Sequence, residues 1–483
     1  MTQKMKTLLI YPRFGWEWDI MHPDMPMGIA YIASMLRDHA KEVKIHDMSF
    51  DKSFDELKKI LTEYKPDVVG IEVLSINVDH AFKIAELVKN SNKNSKVIVG
   101  GPHPTFQSDE MLKNKNIDIA VKGEAEYTFV ELIDNLEKNK SLETIKGIVF
   151  KEGKKLKTTS PREPIHDLDL LPFPAVDLLP HENYFSQPSI EPMPAPGINI
   201  VTSRGCPFDC NFCQPISKKL FGLKHRKRSP KNIVDELRIL KNKYPIKSFS
   251  IVDDLFVMEE DYVKEFCQEL IKAKLNLKWR CNSRVNTITY EKLKAMKKSG
   301  CISIIFGVES GSQRMLDLMK KNITVKQTKN TFKLCKKAKI SSMANILLGY
   351  PGETKESLEE TIELIKEIKP EMLSVNLASP MPGTRLYDMV KKEGKLNVKQ
   401  YAEFNREFPD GIKLDNLTNA DLVYYKKKAY SAFYKTIFPR FFIYPYFIKN
   451  LFYRILTLPM KERIKVIKGY SFALIKGDEH KRR

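Results

Sequence analysis

Twice along this chain, short runs rich in Val, Ile and Leu alternate with stretches of helical periodicity. In the first series the apolar runs are 7–11, 43–45 (ending at Asp47), 67–74, 96–101 and 117–121, with helical patterns at 28–36, 54–64, 78–88 and 127–136. Near-continuous apolar strands separated by helices imply a parallel sheet covered on both faces. Such a sheet takes ligands at the carboxyl ends of its strands. The second series runs 198–201, 248–252, 277–281, 302–306, 344–348 and 373–377. Six strand–helix units in succession predict an open, partial β/α barrel, again with its working groups at the strand exits.

The expected fold class is therefore α/β. Residues 1–140 form a doubly wound, Rossmann-like sheet. Residues 141–195 connect, through a small hairpin at 147–154 and a proline-rich linker in which each Pro stops a helix or central strand. Residues 196–395 form the partial (β/α)6 barrel, and residues 396–483 a mainly helical segment rich in basic and aromatic residues.

At the exit of the barrel's first strand stand Cys206, Cys210 and Cys213, spaced C-x3-C-x2-C. Thiolates so spaced can reach one iron–sulfur cluster from a single loop. Three ligands to a four-iron cubane leave one iron open. A zinc knuckle is the alternative, but zinc sites pair C-x2-C with a second Cys or His pair, and the nearest His downstream is His225, alone in a basic run. Cys267, Cys281, Cys301 and Cys335 fall singly in apolar segments, as inert buried thiols do.

With the aromatic Phe212 just before its third Cys, this motif resembles the signature of radical S-adenosylmethionine (SAM) enzymes. The resemblance implies a 4Fe-4S cluster on the three cysteines, SAM on the open iron, and a 5′-deoxyadenosyl radical from its reductive cleavage. It implies Phe212 against the adenine, and Asp253 and Asp254 where the methionine-amine motif lies, although the family's Gly-Gly-Glu is absent there. Arg284 would meet the methionine carboxylate, where a guanidinium fork suits two-point contact. Glu309 and Ser310 match the ribose motif, and Gly349 and Pro351 let backbone approach the adenine. Ordinary helix capping by Asp, Ser and Gly accounts for any one such loop; five in register, counting 379–384 after the sixth strand, are harder to explain that way.

The first series resembles the cobalamin-binding domain that precedes many radical enzymes. Ser75 and the Gly100–Gly101 pair match its serine and double-glycine positions, and Pro102, His103, Gly123 and Glu124 complete the expected cobalamin contacts. The family's D-x-H-x-x-G is absent after the second strand, where Asp47-Met48-Ser49 puts Ser49 in place of the cobalt-ligating histidine. His103 would serve instead only if its loop turned inward.

Together these resemblances imply a cobalamin-dependent radical SAM enzyme that methylates an unactivated carbon of a small-molecule or lipid substrate. It would need a low-potential electron donor of flavodoxin or ferredoxin type. The same cofactors without methyl transfer, as in oxidative cyclisation or rearrangement in tetrapyrrole or natural-product biosynthesis, are the alternative. A non-catalytic cobalamin-binding protein conflicts with the intact triad. An RNA-modifying methylthiotransferase would carry further N-terminal cysteines, and none precedes Cys206. No catalytic protein side chain stands out.

The cysteine usage suits a reducing cytoplasm. The opening residues lack the pattern of a secretory signal, and no window offers ~20 uncharged apolar residues for a membrane span. Lys and Arg number 81 against 60 Asp and Glu, a formal +21. The excess is concentrated at the end: 421–483 holds 15 basic and 4 acidic residues, and 11 of the 24 residues in 430–453 are aromatic. Three readings fit: a cap on the barrel, peripheral contact of 430–470 with the inner face of an anionic membrane, or, least favoured, nucleic acid.

Overall fold

The computed structural model describes residues 4–13, 24–186, 193–213, 221–222, 224–404 and 411–437. Its first sheet contains β1 (Lys6–Tyr11), β2 (Glu42–Asp47), β3 (Val68–Glu72), β4 (Lys96–Gly100), β5 (Ile119–Val121), β6 (Ile148–Glu152) and β7 (Lys155–Thr158). The order is β2-β1-β3-β4-β5-β6-β7, parallel through β5 and antiparallel beyond. The hairpin expected within the connector is thus β6–β7, and it extends this sheet.

Successive side chains of a strand point to opposite faces, and the cores divide accordingly. Leu9 and Tyr11 pack under α1 (Met27–Asp38) and α5 (Glu126–Glu137), while Leu8 and Ile10 pack under α2 (Asp55–Tyr64) and α3 (Val78–Ser91). On that second face lies a helix the sequence reading passed over, α4 (Pro102–Lys113). The segment Gly-Gly-Pro-His-Pro reads as a turn. Both prolines fall in the first helical turn, however, where a missing N–H costs nothing.

A short α6 (His181–Ser186) precedes the second sheet. Its strands are β8 (Gly197–Ile200), β11 (Ser248–Ile251), β12 (Lys278–Ser283), β13 (Cys301–Glu309), β14 (Ser341–Leu348) and β15 (Met372–Leu377), all parallel, in the order β15-β14-β13-β12-β11-β8. Between the first two of these, β9 (Ser203–Arg204) and β10 (Arg226–Lys227) pair antiparallel and bracket the cysteine loop. The crossover helices are α7 (Pro230–Lys243), α8 (Glu260–Ala273), α9 (Tyr290–Lys298), α10 (Gln313–Leu318), α11 (Val325–Ala338) and α12 (Lys355–Ile368), followed by α13 (Arg385–Lys392) and α14 (Asn419–Ile437). Ser229 caps α7, accepting the Asn232 N–H at 3.2 Å, with Pro230 first in the helix.

The described start of the basic, aromatic tail belongs to the core. In α14, Ala429, Ala432 and Phe433 are buried, and the Tyr430 hydroxyl accepts the Val375 N–H of β15 at 3.2 Å. Residues 438–483, which hold most of the expected membrane-contact stretch, lie outside the described residues. No helix among the described residues is long and apolar enough to cross a membrane.

Candidate functional site

The loop from Cys206 to Cys213 is strapped down on several sides. Gly205 enters it at φ +86°, and a Cβ there would sit 2.5 Å from the Lys224 carbonyl, so glycine is required. The Asn211 N–H donates to the Met319 carbonyl, the Leu386 N–H donates back to the Asn211 carbonyl, and Arg385 pairs with Asp209 at 2.6 Å. Burial comes first in pushing up the thiols of Cys206 and Cys213, the latter to about 12, with further contributions from Asp254 and from Cys210. Cys213 and Asp254 are exposed at the surface, yet crowding by surrounding protein still disfavours their charged forms. Among the described residues, no three His, Cys, Asp or Glu groups gather round one point as a mononuclear ion needs. A cubane instead takes each thiolate on a different iron.

Arg284, at the exit of β12, lies against this loop. Its guanidinium sits 3.7 Å over the Phe208 ring and 3.3 Å from Cys210 Sγ, and another nitrogen donates to the Lys321 carbonyl. A cation beside the sulfurs suits an anionic cluster.

The other expected SAM contacts divide. Asp253 spends its carboxylate on the β8 exit, accepting from Thr202 N at 2.7 Å, from Ser203 Oγ at 2.6 Å and from Thr202 Oγ1. It therefore clamps the strand that enters the cysteine loop, and burial lifts its pKa to about 6. Asp254, its neighbour, is the one open to the cleft. Glu309 ends β13 with φ +63°, past a register shift against β14, an uncommon conformation for a non-glycine residue. The turned side chain meets Lys321 Nζ at 2.5 Å in a buried ion pair. Ser310, expected beside it at the ribose, is fully buried facing α12, 3.2 Å from Thr361 Oγ1, and it accepts the Ser312 N–H. Phe212 packs among Met315, Met319 and Tyr350, with Lys321 Nζ 5.5 Å from its ring. Gly349 (φ +80°) and Pro351 form a turn closed by Glu353, which accepts the Gly349 N–H. Lys321 was missed because a lone Lys reads as solvated surface, and Glu353, although it stands in the loop after the fifth barrel strand, carried no role that its motif could name.

One cavity of about 510 Å³ lies between the two sheets. Its first wall comes from the strand exits Tyr11, Glu72, Gly100 and Gly101 and from Asp24–Gly28 entering α1; Val201, Ser203, Asp253 and Asp254 of the barrel complete it. Strand order explains the place. The chain reverses direction of winding between β1 and β3, and that switch point opens a crevice. Ser49, which follows edge strand β2, is not part of the cavity wall, whereas Asp24–Gly28, on the connection after β1, are.

Pro102, Gly123 and Glu124 also line the cavity. Ser75 and His103 do not: they hydrogen-bond each other, Oγ to Nδ1 at 3.0 Å, and the His103 ring meets Tyr401 edge-on. His103 is buried, with its pKa driven down to about 4, and it does not turn into the cavity. Gly101 (φ +98°) allows the backbone to pass Val73 and Glu72, whereas a Cβ on Gly100 would meet only Val121, at 3.8 Å. Glu124 is an inter-sheet clamp as well as a wall. It accepts from Arg204 at 2.8 Å and Arg226 at 2.9 Å, on either side of the cysteine loop, and from Ile165 N at 2.7 Å.

These residues fit the groups the motifs imply. The cysteine loop carries three thiols and a neighbouring guanidinium. The cavity has the size of sites that bury bulky ligands, largely apolar walls, and a buried Glu72 oxygen without a partner.

Comparison with known proteins agrees. The radical SAM superfamily matches residues 200–365, and the B12 binding domain matches residues 23–133. An "uncharacterized methyltransferase" of Pyrococcus horikoshii is 35% identical over 411 residues, covering 85% of this chain and 87% of that protein. The anaerobic magnesium-protoporphyrin IX monomethyl ester cyclase of Rubrivivax gelatinosus is 28% identical, over 98% of this chain and 83% of its own. Among solved structures, the radical SAM methyltransferase TsrM of Kitasatospora setae, with cobalamin and a 4Fe-4S cluster bound, superposes with a TM-score of 0.70 at 17% identity, covering 90% of this chain and 89% of its own. The cobalamin-dependent enzyme OxsB, with aqua-cobalamin and SAM bound, gives 0.71 at 18% identity, covering 97% and 71%. The chain belongs to the radical S-adenosylmethionine superfamily, among those members that carry a B12-binding domain ahead of the barrel.

Proposed function

We propose that this radical SAM enzyme is a cobalamin-dependent methyltransferase acting on an unactivated carbon of a small-molecule or lipid substrate. The observation that carries this reading is a cavity walled by both sheets, with Asp254 at the barrel side near the cysteine loop. When bound, the cofactors supply hydrogen-atom abstraction and a transferable methyl group.

The chain's own residues bind and place. Cys206, Cys210 and Cys213 would hold the cluster. Arg284 braces Cys210 and Phe208. Glu309 and Lys321 present paired opposite charges beside Phe212, a match for the ammonium and carboxylate of a methionyl group. Asp253, through Thr202 and Ser203, holds the loop entrance in place. The apolar walls from Leu9, Ile71, Ile98 and Phe129 exclude water from the space a corrinoid would fill. A low-potential flavodoxin- or ferredoxin-like donor and a peripheral membrane contact through the part of 430–470 that follows the core-packed α14 are parts of the same proposal.

The near full-length likeness to the cyclase supports a second reading, the same cofactors without methyl transfer. The test is anaerobic reconstitution with iron, sulfide and cobalamin, then incubation of lipid and tetrapyrrole extracts with methyl-labelled SAM and a low-potential reductant such as dithionite. Methyl transfer yields labelled product with both deoxyadenosine and S-adenosylhomocysteine. Deoxyadenosine alone, with unlabelled product, supports the second reading and overturns the first.

A further inference from the structure

Glu72 ends β3 at the switch-point crevice and lines the cavity. It is packed between two glycines: Cβ atoms added at Gly28 and Gly101 would lie 3.3 Å from its carboxylate oxygens and its Cγ, respectively. Its Oε2 is buried and finds no partner. Among the described residues, the titratable groups facing it are Asp47 at the end of β2 and Tyr11 at the end of β1, and Asp24 on the β1–α1 connection faces Tyr11 in turn. Helix α1 meets it with Gly28 and Ile29, and Gly101, just before α4, packs against its Cγ. Burial, then the Asp47 charge, lifts its pKa to about 7, partly offset by the Ile29 N–H. A polar oxygen withdrawn from water and left unbonded is costly. A fold that holds one against the wall of a large cavity is completed by a ligand that bonds to it.

Resting on the cobalamin reading, we propose that Glu72, as a neutral carboxylic acid, binds the corrinoid from the wall of the first sheet, pairing with a primary amide on the ring's rim. A carboxylic acid offers such an amide one donor and one acceptor. A carboxylate offers only acceptors and brings a charge into an acidic, poorly solvated corner. Glu72 is thus a binding residue in a crevice where, among the described residues that line it, no histidine stands.

The test measures methylcobalamin binding in the dark to the full-length protein, since this probe keeps its charge across the range. Dissociation constants are read by ultrafiltration and visible absorbance at about pH 6 and about pH 8.5, on either side of the raised pKa. Wild type should bind about tenfold or more weakly at the higher pH, following the loss of the acid's proton. Glu72→Gln, which keeps one donor and one acceptor, should match wild type at the lower pH and stay flat. Glu72→Ala should bind about tenfold or more weakly at both, the worth of one buried hydrogen-bonded contact. Should Glu72→Ala fail to fold, the Gln comparison decides alone. A Gln variant that follows the wild-type pH dependence, or an Ala variant as tight as wild type at the lower pH, overturns the role of Glu72 and leaves the cobalamin reading standing. No binding by wild type at either pH overturns both.

Discussion

Glu124 and Arg204 meet at 2.8 Å in a buried ion pair that joins the exit of β5 to the residue two places before Cys206. Arg226, at the far end of the cysteine loop, takes the other oxygen. Both ends of the loop are therefore tied to one carboxylate of the other sheet. Removing one partner of a buried pair leaves an uncompensated charge. Glu124→Ala should lower the unfolding free energy by about 3–5 kcal/mol, measured by urea denaturation of the apo-protein. A loss well under this would mean that the sheets are held together elsewhere.

Cluster assembly should fail with any of Cys206→Ala, Cys210→Ala or Cys213→Ala. Reconstituted wild type should carry about four irons per chain and broad visible absorbance. A variant that kept both would remove its cysteine from the ligand set.

Arg284 contacts the loop through a ring face and a sulfur, contacts that a point-charge ammonium does not reproduce. Arg284→Lys should therefore lose a large part of its iron on gel filtration, while the apo-fold loses only about 1–2 kcal/mol, the worth of the bond to the Lys321 carbonyl. Equal iron retention would show that the guanidinium is free to serve SAM alone.

Ser310 and Glu309 are adjacent but should behave differently. Ser310 bonds into α12, so Ser310→Ala should cost about 1–2 kcal/mol of stability and leave SAM affinity within about twofold, since it removes no site contact. Glu309→Gln should weaken SAM binding by about tenfold or more, the loss of one charge-assisted bond. Isothermal titration of both reconstituted variants separates the two roles.

Glu353 is buried, with Oε1 unpartnered and a pKa raised to about 8. A carboxyl whose pKa is higher in the fold binds more protons folded than unfolded. Its contribution is complete below the ordinary glutamate range and is lost as pH rises toward about 8. Glu353→Gln keeps the acceptor for the Gly349 N–H and cannot ionise. Between about pH 5 and about pH 8, the variant's stability relative to wild type should improve by about 2–4 kcal/mol. Parallel denaturation midpoints across that range would show that Glu353 is already ionised in the fold.

The alternation of strands and helices, the cysteine spacing and the cap at Ser229 were legible in the residues because each depends on neighbours in the chain. Period-two and period-3.6 patterns are local, and so is a loop that brings three thiols together. The order of the strands is not local. Only once β1 is seen between β2 and β3 does the crevice fall after β1, away from Ser49, and only then do Glu72 and Asp24–Gly28 become its wall. Glu124, read from its place after a strand as a ligand contact, proves also to clamp two arginines from a segment about eighty to one hundred residues later. Ser310, read from its motif, is turned toward α12. Charged residues such as Lys321 carry no sequence mark that separates a buried partner from a solvated face, because burial is a property of what the rest of the chain packs over them.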